Sequence, residues 1–158
     1  MYTLHVELHV AHVINRFYFI TGHTTTITLV HSTMAHIYEI TLTDREISHF
    51  KDIFTQKTHF TPFCHIWRGA VNKDGYGIYR PSLRGKQLKV TVHRFIYYIH
   101  NMDRFDKQLH ISHLCHNKQC VNISHLSMEP QSVNNSRKTC VAEGQCTGHG
   151  THGGCLFQ

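Results

Sequence analysis

Residues 110–135 read HISHLCHNKQCVNISHLSMEPQSVNN, and this stretch decides the fold. Thiolate and imidazole groups crowded at this spacing are typical of a zinc site. Cys115, Cys120 and His125 are spaced as ligands, with four residues between successive members. A closed structural zinc site needs four ligands, and Cys64 is the one upstream cysteine that can complete the set.

His113 is left outside that ligand set, two residues before the first thiolate. An ordinary imidazole has a pKa near 6.5 and, when neutral, can act as a general base. Asn134 and Asn135 follow the last ligand at a distance that places them on a nearby helix. The pattern indicates a reactive centre held by a metal-bound frame, and the other interpretation is that His113 is a buried structural residue or itself a zinc ligand.

The charge of the chain is concentrated on the segment that carries this motif. The formal net charge is +6, yet residues 64–138 hold twelve Lys and Arg against four Asp and Glu. A basic segment is typical of a protein that binds a polyanion. A solubilising surface is the other interpretation of the same charge.

Six cysteines can form three disulfides or the thiolates of two Cys3His zinc sites. The residues after Met1 lack the basic and apolar regions of a signal peptide. We therefore predict zinc rather than disulfides, and an intracellular protein that is not secreted. No apolar run reaches the roughly 18 residues of a membrane span, so no membrane association is expected.

Two regions precede the motif. Residues 1–36 hold six His, seven Thr and no Lys, and we interpret them as an N-terminal extension of uncertain structure, either a strand pair or a loosely packed segment. Residues 37–158 are predicted to form one domain. Within it, residues 37–42 alternate like a short strand, and Thr43 with Glu46 forms a capping box for a helix ending near Lys57.

Asp74-Gly75 predicts a hairpin turn, because glycine supplies the positive φ that such turns need. Strands are then predicted at 76–81 and 87–92, joined by 82–86, and they form a basic two-stranded ribbon. Such a ribbon fits the major groove of B-DNA. The alternative interpretation is an ordinary sheet with one face exposed to solvent. The basic side chains on or near it are Lys73, Arg80, Arg84, Lys86 and Lys89.

Three further elements complete the prediction. Residues 93–101 form a short helix, in which His93 is expected to be a packing residue rather than a ligand. Residues 109–113 form a strand that ends at His113, and residues 130–138 form a helix after the zinc loop. The order is strand, metal loop and helix.

These motifs resemble the His-Cys box homing endonucleases, which belong to the wider His-Me finger (ββα-metal) nucleases. The resemblance covers roughly residues 64–155. It is weaker upstream, at Cys64 to Trp67, Gly75 to Gly77 and Val92 to Arg94. It rests on Ser112 to Asn117, Cys120, Asn122, His125-Leu126, Asn134 and, further on, Cys140, Cys146, His149 and Cys155.

The resemblance implies an α+β His-Me finger domain with an antiparallel β-ribbon and two structural zinc sites. It implies a Mg²⁺-dependent endonuclease that hydrolyses phosphodiester bonds of double-stranded DNA, and so a location in the nucleus or wherever its target DNA resides. His113 would be the general base, and Asn134 rather than Asn135 would hold one catalytic Mg²⁺. An arginine of the ribbon would support the scissile phosphate; Arg80 and Arg84 both qualify, and we favour Arg84.

The first zinc site would comprise Cys64, Cys115, Cys120 and His125. The second would take Cys140, Cys146 and Cys155, with His149 preferred to His152 because the family's histidine lies close behind its second cysteine. The long C-terminal tail that exchanges between subunits in one family member has no counterpart here. A homodimer is therefore possible, but the resemblance does not establish it. The alternative function is a zinc-dependent DNA-binding module that does not cut.

Overall fold

The computed structural model describes residues 37–157. The predictions made for residues 1–36 lie outside this part of the chain. Within it, the fold combines three α-helices with short antiparallel strands and is α+β, as predicted. None of the helices described is long and apolar enough to cross a membrane.

The three helices are α1, α2 and α3, and the eight strands pair as β1 with β2, β3 with β6, β4 with β5, and β7 with β8. The helices span Asp44–Gln56, Val92–His100 and Gln131–Glu143. The strands span Thr58–Phe60, His65–Trp67, Ile78–Tyr79, Ser82–Leu83, Lys86–Gln87, Val90–Thr91, His110–His113 and Leu126–Glu129.

Helix α1 begins where the capping box predicts. The Thr43 N–H donates to Glu46 Oε2 over 2.8 Å, and the Thr43 hydroxyl accepts from the Glu46 N–H over 3.3 Å. Two donors that the first helical turn leaves without partners are thereby satisfied. The helix ends at Gln56, one residue before the predicted end.

The strand predicted at 37–42 is wrong. Residues Ile37–Glu39 form a 3-10 helix instead, closed by the Ile40 N–H donating to the Ile37 carbonyl over 3.1 Å. The alternation of apolar residues reflects burial rather than a strand, because Tyr38, Ile40 and Leu42 pack in or against the core while Glu39 and Thr41 are exposed. The Ile40 carbonyl accepts from the Tyr98 hydroxyl of α2 over 2.6 Å, which ties this turn to a distant helix.

The core lies between α1, α2 and β2. Phe50 and Phe54 of α1 meet Phe95 of α2 edge to face, with ring centroids 5.0 and 5.7 Å apart. Trp67 of β2 packs against Phe54 at 5.9 Å. A Cβ at Gly77 would lie 2.7 Å from the Trp67 ring, so the backbone after the predicted turn passes too close to the indole for any side chain.

The basic ribbon forms, but it is more broken than predicted. Strands β3 and β6 pair near its base, and β4 and β5 pair near its tip. The tip is a two-residue turn in which Arg84 and Gly85 both have positive φ, 49° and 77°. The predicted five-residue connection at 82–86 is therefore shorter, and its outer residues belong to strands.

The motif itself folds as a β-hairpin followed by a helix. In the hairpin, His113 of β7 faces Leu126 of β8, and His110 faces Glu129. Helix α3 follows β8 directly and packs back against β7. It extends to Glu143, beyond the predicted end, and closes on Gly144 in the left-handed conformation.

Candidate active site and metal centres

The first metal-ligating cluster is formed by Cys64, Cys115, Cys120 and His125, whose ligand atoms all lie within 4.8 Å of one another. His125 Nδ1 is 3.8 Å from Cys64 Sγ and 3.6 Å from Cys120 Sγ. Tetrahedral zinc with ordinary bond lengths sets N and S ligands about 3.5 Å apart. The cluster therefore has the donor chemistry and the size of a closed structural zinc site.

Electrostatics in this cluster favour a bound cation. A hydrogen bond from the Cys115 thiol, aided by one from Cys64, lowers the pKa of Cys120 to about 4. The same contact raises the pKa of Cys115, and burial raises that of Cys64. The low pKa of Cys120 favours its thiolate form, next to the protonated thiols of Cys115 and Cys64. A divalent cation bound between them would stabilise all three sulfurs as thiolates.

The zinc loop is attached to β2 by its backbone. The Trp67 N–H donates to the Gln119 carbonyl over 2.9 Å, and the Val121 N–H donates to the His65 carbonyl over 2.7 Å. Ile66 forms a bridge with Cys120 between these two bonds. Cys64 therefore lies on an element that the loop pairs with directly, and the core, β2 and the motif form one unit.

The second cluster is formed by Cys140, Cys146, His149 and Cys155, again with all ligand atoms within 4.8 Å. His149 Nε2 lies 3.3 Å from both Cys140 Sγ and Cys155 Sγ. This pattern also fits tetrahedral zinc. Cys140 comes from the last turns of α3, so this site joins the end of that helix to the following segment.

Hydrogen bonding fixes which nitrogen of His149 faces the thiolates. The Ser136 hydroxyl donates its proton to the Val133 carbonyl over 2.7 Å. Its oxygen therefore accepts from His149 Nδ1, 2.9 Å away, which leaves Nε2 with a free lone pair. His152, the competing candidate, is outside the cluster, and its backbone carbonyl accepts from Arg137.

A buried ion pair connects this second cluster to the hairpin. Arg137 of α3 is bidentate to Glu129 of β8, with N···O distances of 2.8 and 2.7 Å. Arg137 also donates to the Gly153 carbonyl and to Cys155 Sγ. Arg137 is 2% exposed and Glu129 is fully buried, so helix, strand and second zinc loop are held at one charged junction.

His113 stands at the end of β7, 8% exposed and outside both metal clusters. Its Nε2 lies 3.1 Å from the Cys120 carbonyl oxygen. Because a carbonyl can only accept, Nε2 carries the proton and Nδ1 holds the lone pair. Burial lowers the pKa of His113 to about 4, so the ring is neutral near pH 7, as a general base must be.

The two asparagines of α3 differ in their contacts. Asn135 Oδ1 accepts from Gln131 Nε2 over 2.9 Å and from Lys138 Nζ over 3.0 Å. The Asn134 side chain has no hydrogen-bond partner within residues 37–157. An uncommitted amide oxygen is a ligand that Mg²⁺ accepts, and α3 packs on the strand that carries His113.

The ribbon residues behave differently from one another. Arg84 donates to both carboxylate oxygens of Glu46, over 2.9 and 2.8 Å, and to the Thr41 carbonyl over 3.1 Å. The side-chain hydrogen bonds from Arg84 are the main reason that the pKa of Glu46 falls to about 2. All five basic residues predicted to contact DNA are exposed, namely Lys73, Arg80, Arg84, Lys86 and Lys89.

Sequence reasoning missed several supporting residues. Glu129 and Arg137 are eight positions apart on different elements, and nothing in their spacing predicts a pair. Ser136 gave no signal beyond its place near the second ligand set. Tyr76 and Lys118 come together only in the fold, where Lys118 Nζ lies 5.3 Å from the Tyr76 ring centroid.

Two Cys3His clusters around a β-hairpin and a following helix define an α+β domain of the His-Me finger type with two candidate zinc sites. The family described as the zinc-binding loop region of homing endonuclease matches residues 67–155. This match covers more than half of the chain, and the chain belongs to that family. In the comparison with curated proteins, no sequence matches the chain.

Proposed function

We propose that the chain is a Mg²⁺-dependent DNA endonuclease that hydrolyses phosphodiester bonds, with His113 as general base and Asn134 as the protein ligand of the metal. The observation that carries this proposal is the hydrogen bond between His113 Nε2 and the Cys120 carbonyl. It leaves the other ring nitrogen as a proton acceptor. A DNA substrate is what membership of the homing endonuclease family implies.

In the reaction, His113 Nδ1 accepts a proton from the attacking water. The Cys120 carbonyl keeps the ring in the required tautomer and stabilises the imidazolium that forms, because the charged ring donates a stronger hydrogen bond. Cys120 is also a ligand of the first cluster. Zinc held by this cluster would therefore affect the reaction through the position of the carbonyl that orients the base.

Asn134 would hold Mg²⁺ through Oδ1, and within residues 37–157 its side chain has no hydrogen-bond partner. Mg²⁺ needs few protein ligands where phosphate oxygens and water complete its coordination. When bound, the ion would stabilise negative charge on the phosphate and on the departing 3′ oxygen. Asn135 is the weaker candidate, since its oxygen is already occupied by two donors.

Both ribbon arginines remain candidates for the contact with the scissile phosphate. Arg84 would have to give up its ion pair with Glu46, whose N···O distance is 2.8 Å. Arg80 is exposed and has no ion-pair partner within the described residues. The geometry therefore shifts our preference to Arg80, with Arg84 holding the ribbon tip against α1.

The exposed basic ribbon is the surface that we propose for the DNA duplex. Its inward positions Leu83, Leu88 and Val90 are buried, and its lysines and arginines alternate outward with them. Phosphate contacts of this kind position a duplex without reading its sequence. We further propose that residues 37–158 form the nuclease domain and that the protein works where its target DNA resides.

A DNA-binding module that does not cut is the second candidate. The basic ribbon and the two clusters would serve such a module equally well. It would gain nothing from a buried neutral imidazole with a free acceptor nitrogen, nor from an uncommitted amide on the adjacent helix. These two features favour the nuclease.

The deciding experiment incubates supercoiled plasmid with purified protein and Mg²⁺, then with EDTA added. The wild type should nick or linearise the plasmid only with Mg²⁺. His113→Ala should remove this activity, whereas His110→Ala, on the same strand, should retain it. DNA binding without cleavage by a wild-type protein that holds both zinc ions would favour the non-cutting module.

A further inference from the structure

Three rings from three separate elements meet at the end of β7. The centroids of His93 and His113 are 4.5 Å apart, with their planes tilted by 48°. Tyr76 lies 5.3 Å from His93 and 6.0 Å from His113. His93 comes from the first turn of α2, and Tyr76 from the turn before β3, so no single element sets this arrangement.

The described hydrogen bonds of His113 hold one of its two ring nitrogens. One hydrogen bond, to the Cys120 carbonyl, holds Nε2. The ring is otherwise oriented by packing, and a change in its χ2 angle would move Nδ1 away from an attacking water. Something must pack against the face of the ring, and the nearest described ring is His93.

Within residues 37–157, His93 has no hydrogen bond through which it could act instead. Its Nδ1 is buried and has no hydrogen-bond partner within the described part of the chain. The contact with His113 is therefore between ring faces and edges. The Tyr76 ring, over which Lys118 Nζ lies 5.3 Å from the centroid, packs on His93 in turn and keeps it in place.

We propose that His93 is a positioning residue for His113, acting by ring contact to keep Nδ1 directed at the substrate. This rests on the proposed function of His113 as a base. His93 itself touches neither metal cluster and is not required to accept a proton. Its replacement should therefore change the orientation and the tautomer of His113, and not the zinc content.

The test compares His93→Ala, which removes the ring, with His93→Phe, which restores an aromatic contact without nitrogen. His100→Ala is the matched control, since His100 is exposed at the other end of α2. Two readouts are used at one fixed pH: the His113 tautomer, from two-bond ¹H–¹⁵N correlation spectra of the zinc-loaded protein, and kcat and KM on plasmid DNA.

We expect the wild type to show His113 as a single Nε2–H tautomer and His93→Ala to show a mixture. Its kcat should fall by up to about 100-fold, the scale of a misplaced catalytic group, with KM and two zinc ions retained. His93→Phe should restore both the tautomer and most of kcat, and His100→Ala should match the wild type.

Three results would overturn the proposal. The first is His93→Ala with an unchanged His113 tautomer and unchanged kcat. The second is loss of kcat in both variants while the tautomer is intact, which would make His93 a group that acts through its nitrogen. The third is loss of zinc in both, which would make it structural.

If the wild type itself does not cut, the proposed function fails, and the tautomer still decides whether His93 positions His113. If His93→Ala does not fold, the tautomer in His93→Phe decides.

Discussion

The Nε2–H of His113 and the carbonyl of Cys120 are 3.1 Å apart, and the thiol of the same Cys120 belongs to the first metal-ligating cluster. Cys120 thus has two functions. Its side chain contributes a ligand atom to the first cluster, and its backbone carbonyl orients His113, the candidate base. A change in the metal site should therefore reach the reactive centre through a single peptide group.

The first prediction concerns metal content. Protein purified without chelator should contain about two zinc ions per chain by elemental analysis, because both clusters supply four ligands at tetrahedral spacing. Structural zinc contributes on the order of 10–16 kcal/mol to folding in small zinc-binding peptides. Cys120→Ser should reduce the content to one and lower the melting temperature, with His152→Ala as a control that keeps two. A zinc content near zero together with mapped disulfides would refute the assignment.

The second prediction separates catalysis from binding. His113→Ala should lose about 10²–10⁴-fold in cleavage rate, the usual contribution of a general base. Its affinity for DNA in the presence of Ca²⁺ should be close to that of the wild type, because the proposed phosphate contacts lie on the ribbon. Cleavage rate and affinity are measured on the same plasmid and duplex. If His113→Ala loses a zinc ion or unfolds, His113 is structural, and the non-cutting module becomes the better account.

Some of this architecture was predictable because it depends on neighbours in sequence. The Thr43 to Glu46 capping box is local, three residues apart, and it formed. The Asp74-Gly75 turn is also local. The strand predicted at 37–42 is wrong because its alternating pattern reports burial, and the backbone there bonds to the Tyr98 hydroxyl, far along the chain, rather than to a neighbouring strand.

The candidate site also contains some features that the sequence predicts and others that it does not. The two ligand sets are predictable from residue type and spacing, and the resemblance supplied their pairing. The partner of Arg84 is not predictable, since Glu46 lies 38 positions away. The tautomers of His113 and His149 are also beyond sequence reasoning, because each depends on one oxygen atom that the fold brings within 3.1 Å.

The third prediction tests the buried junction between Glu129 and Arg137. Arg137→Met should destabilise the protein by about 3–5 kcal/mol, because it leaves a buried carboxylate without its partner. Chemical denaturation of the zinc-loaded protein measures this loss. Lys138→Met, next along the same helix and exposed, is the control and should change stability by no more than about 0.5 kcal/mol. An Arg137→Met protein as stable as the control would show that the junction does not hold the helix.

The fourth prediction gives the pH dependence of that junction. Burial alone would raise the pKa of Glu129, but the bidentate Arg137 guanidinium outweighs it, and the pKa lies below its ordinary value. A carboxyl whose pKa is lowered by folding stabilises the protein above its unfolded pKa of about 4.3. This stabilisation should disappear as pH falls below about 4. It is measured as the wild-type stability minus that of Glu129→Gln/Arg137→Met, which should shrink on acidification; a difference that grows would contradict the assignment.

The fifth prediction concerns the DNA surface. The logarithm of the association constant should fall linearly with the logarithm of the salt concentration. The slope should be about −0.9 for each phosphate contact. Charge reversal at Lys73, Arg80 and Lys89 should weaken binding and reduce that slope, with two zinc ions retained. Lys57→Glu, an exposed reversal outside the ribbon, should have a smaller effect. Equal losses in both proteins would indicate a general charge effect and move the interface elsewhere.

The last prediction addresses the metal ligand. Asn134→Ala should abolish Mg²⁺-dependent cleavage, because it removes the one amide oxygen on α3 that we propose for the ion. Asn134→Asp keeps an oxygen at the same place and adds a negative charge, so it should retain activity that depends on Mg²⁺. Cleavage is followed over a Mg²⁺ titration for each variant, with the zinc content measured in parallel.

Asn135→Ala is the matched control for this pair. It removes an amide from the next position of the same helix, where the oxygen is already bound by Gln131 and Lys138, so its Mg²⁺ titration should follow the wild type. The reverse outcome, with Asn135→Ala inactive and Asn134→Ala active, would assign the metal to Asn135, whose side chain lies about 100° further around the helix. That outcome would overturn the assignment of Asn134 as the metal ligand.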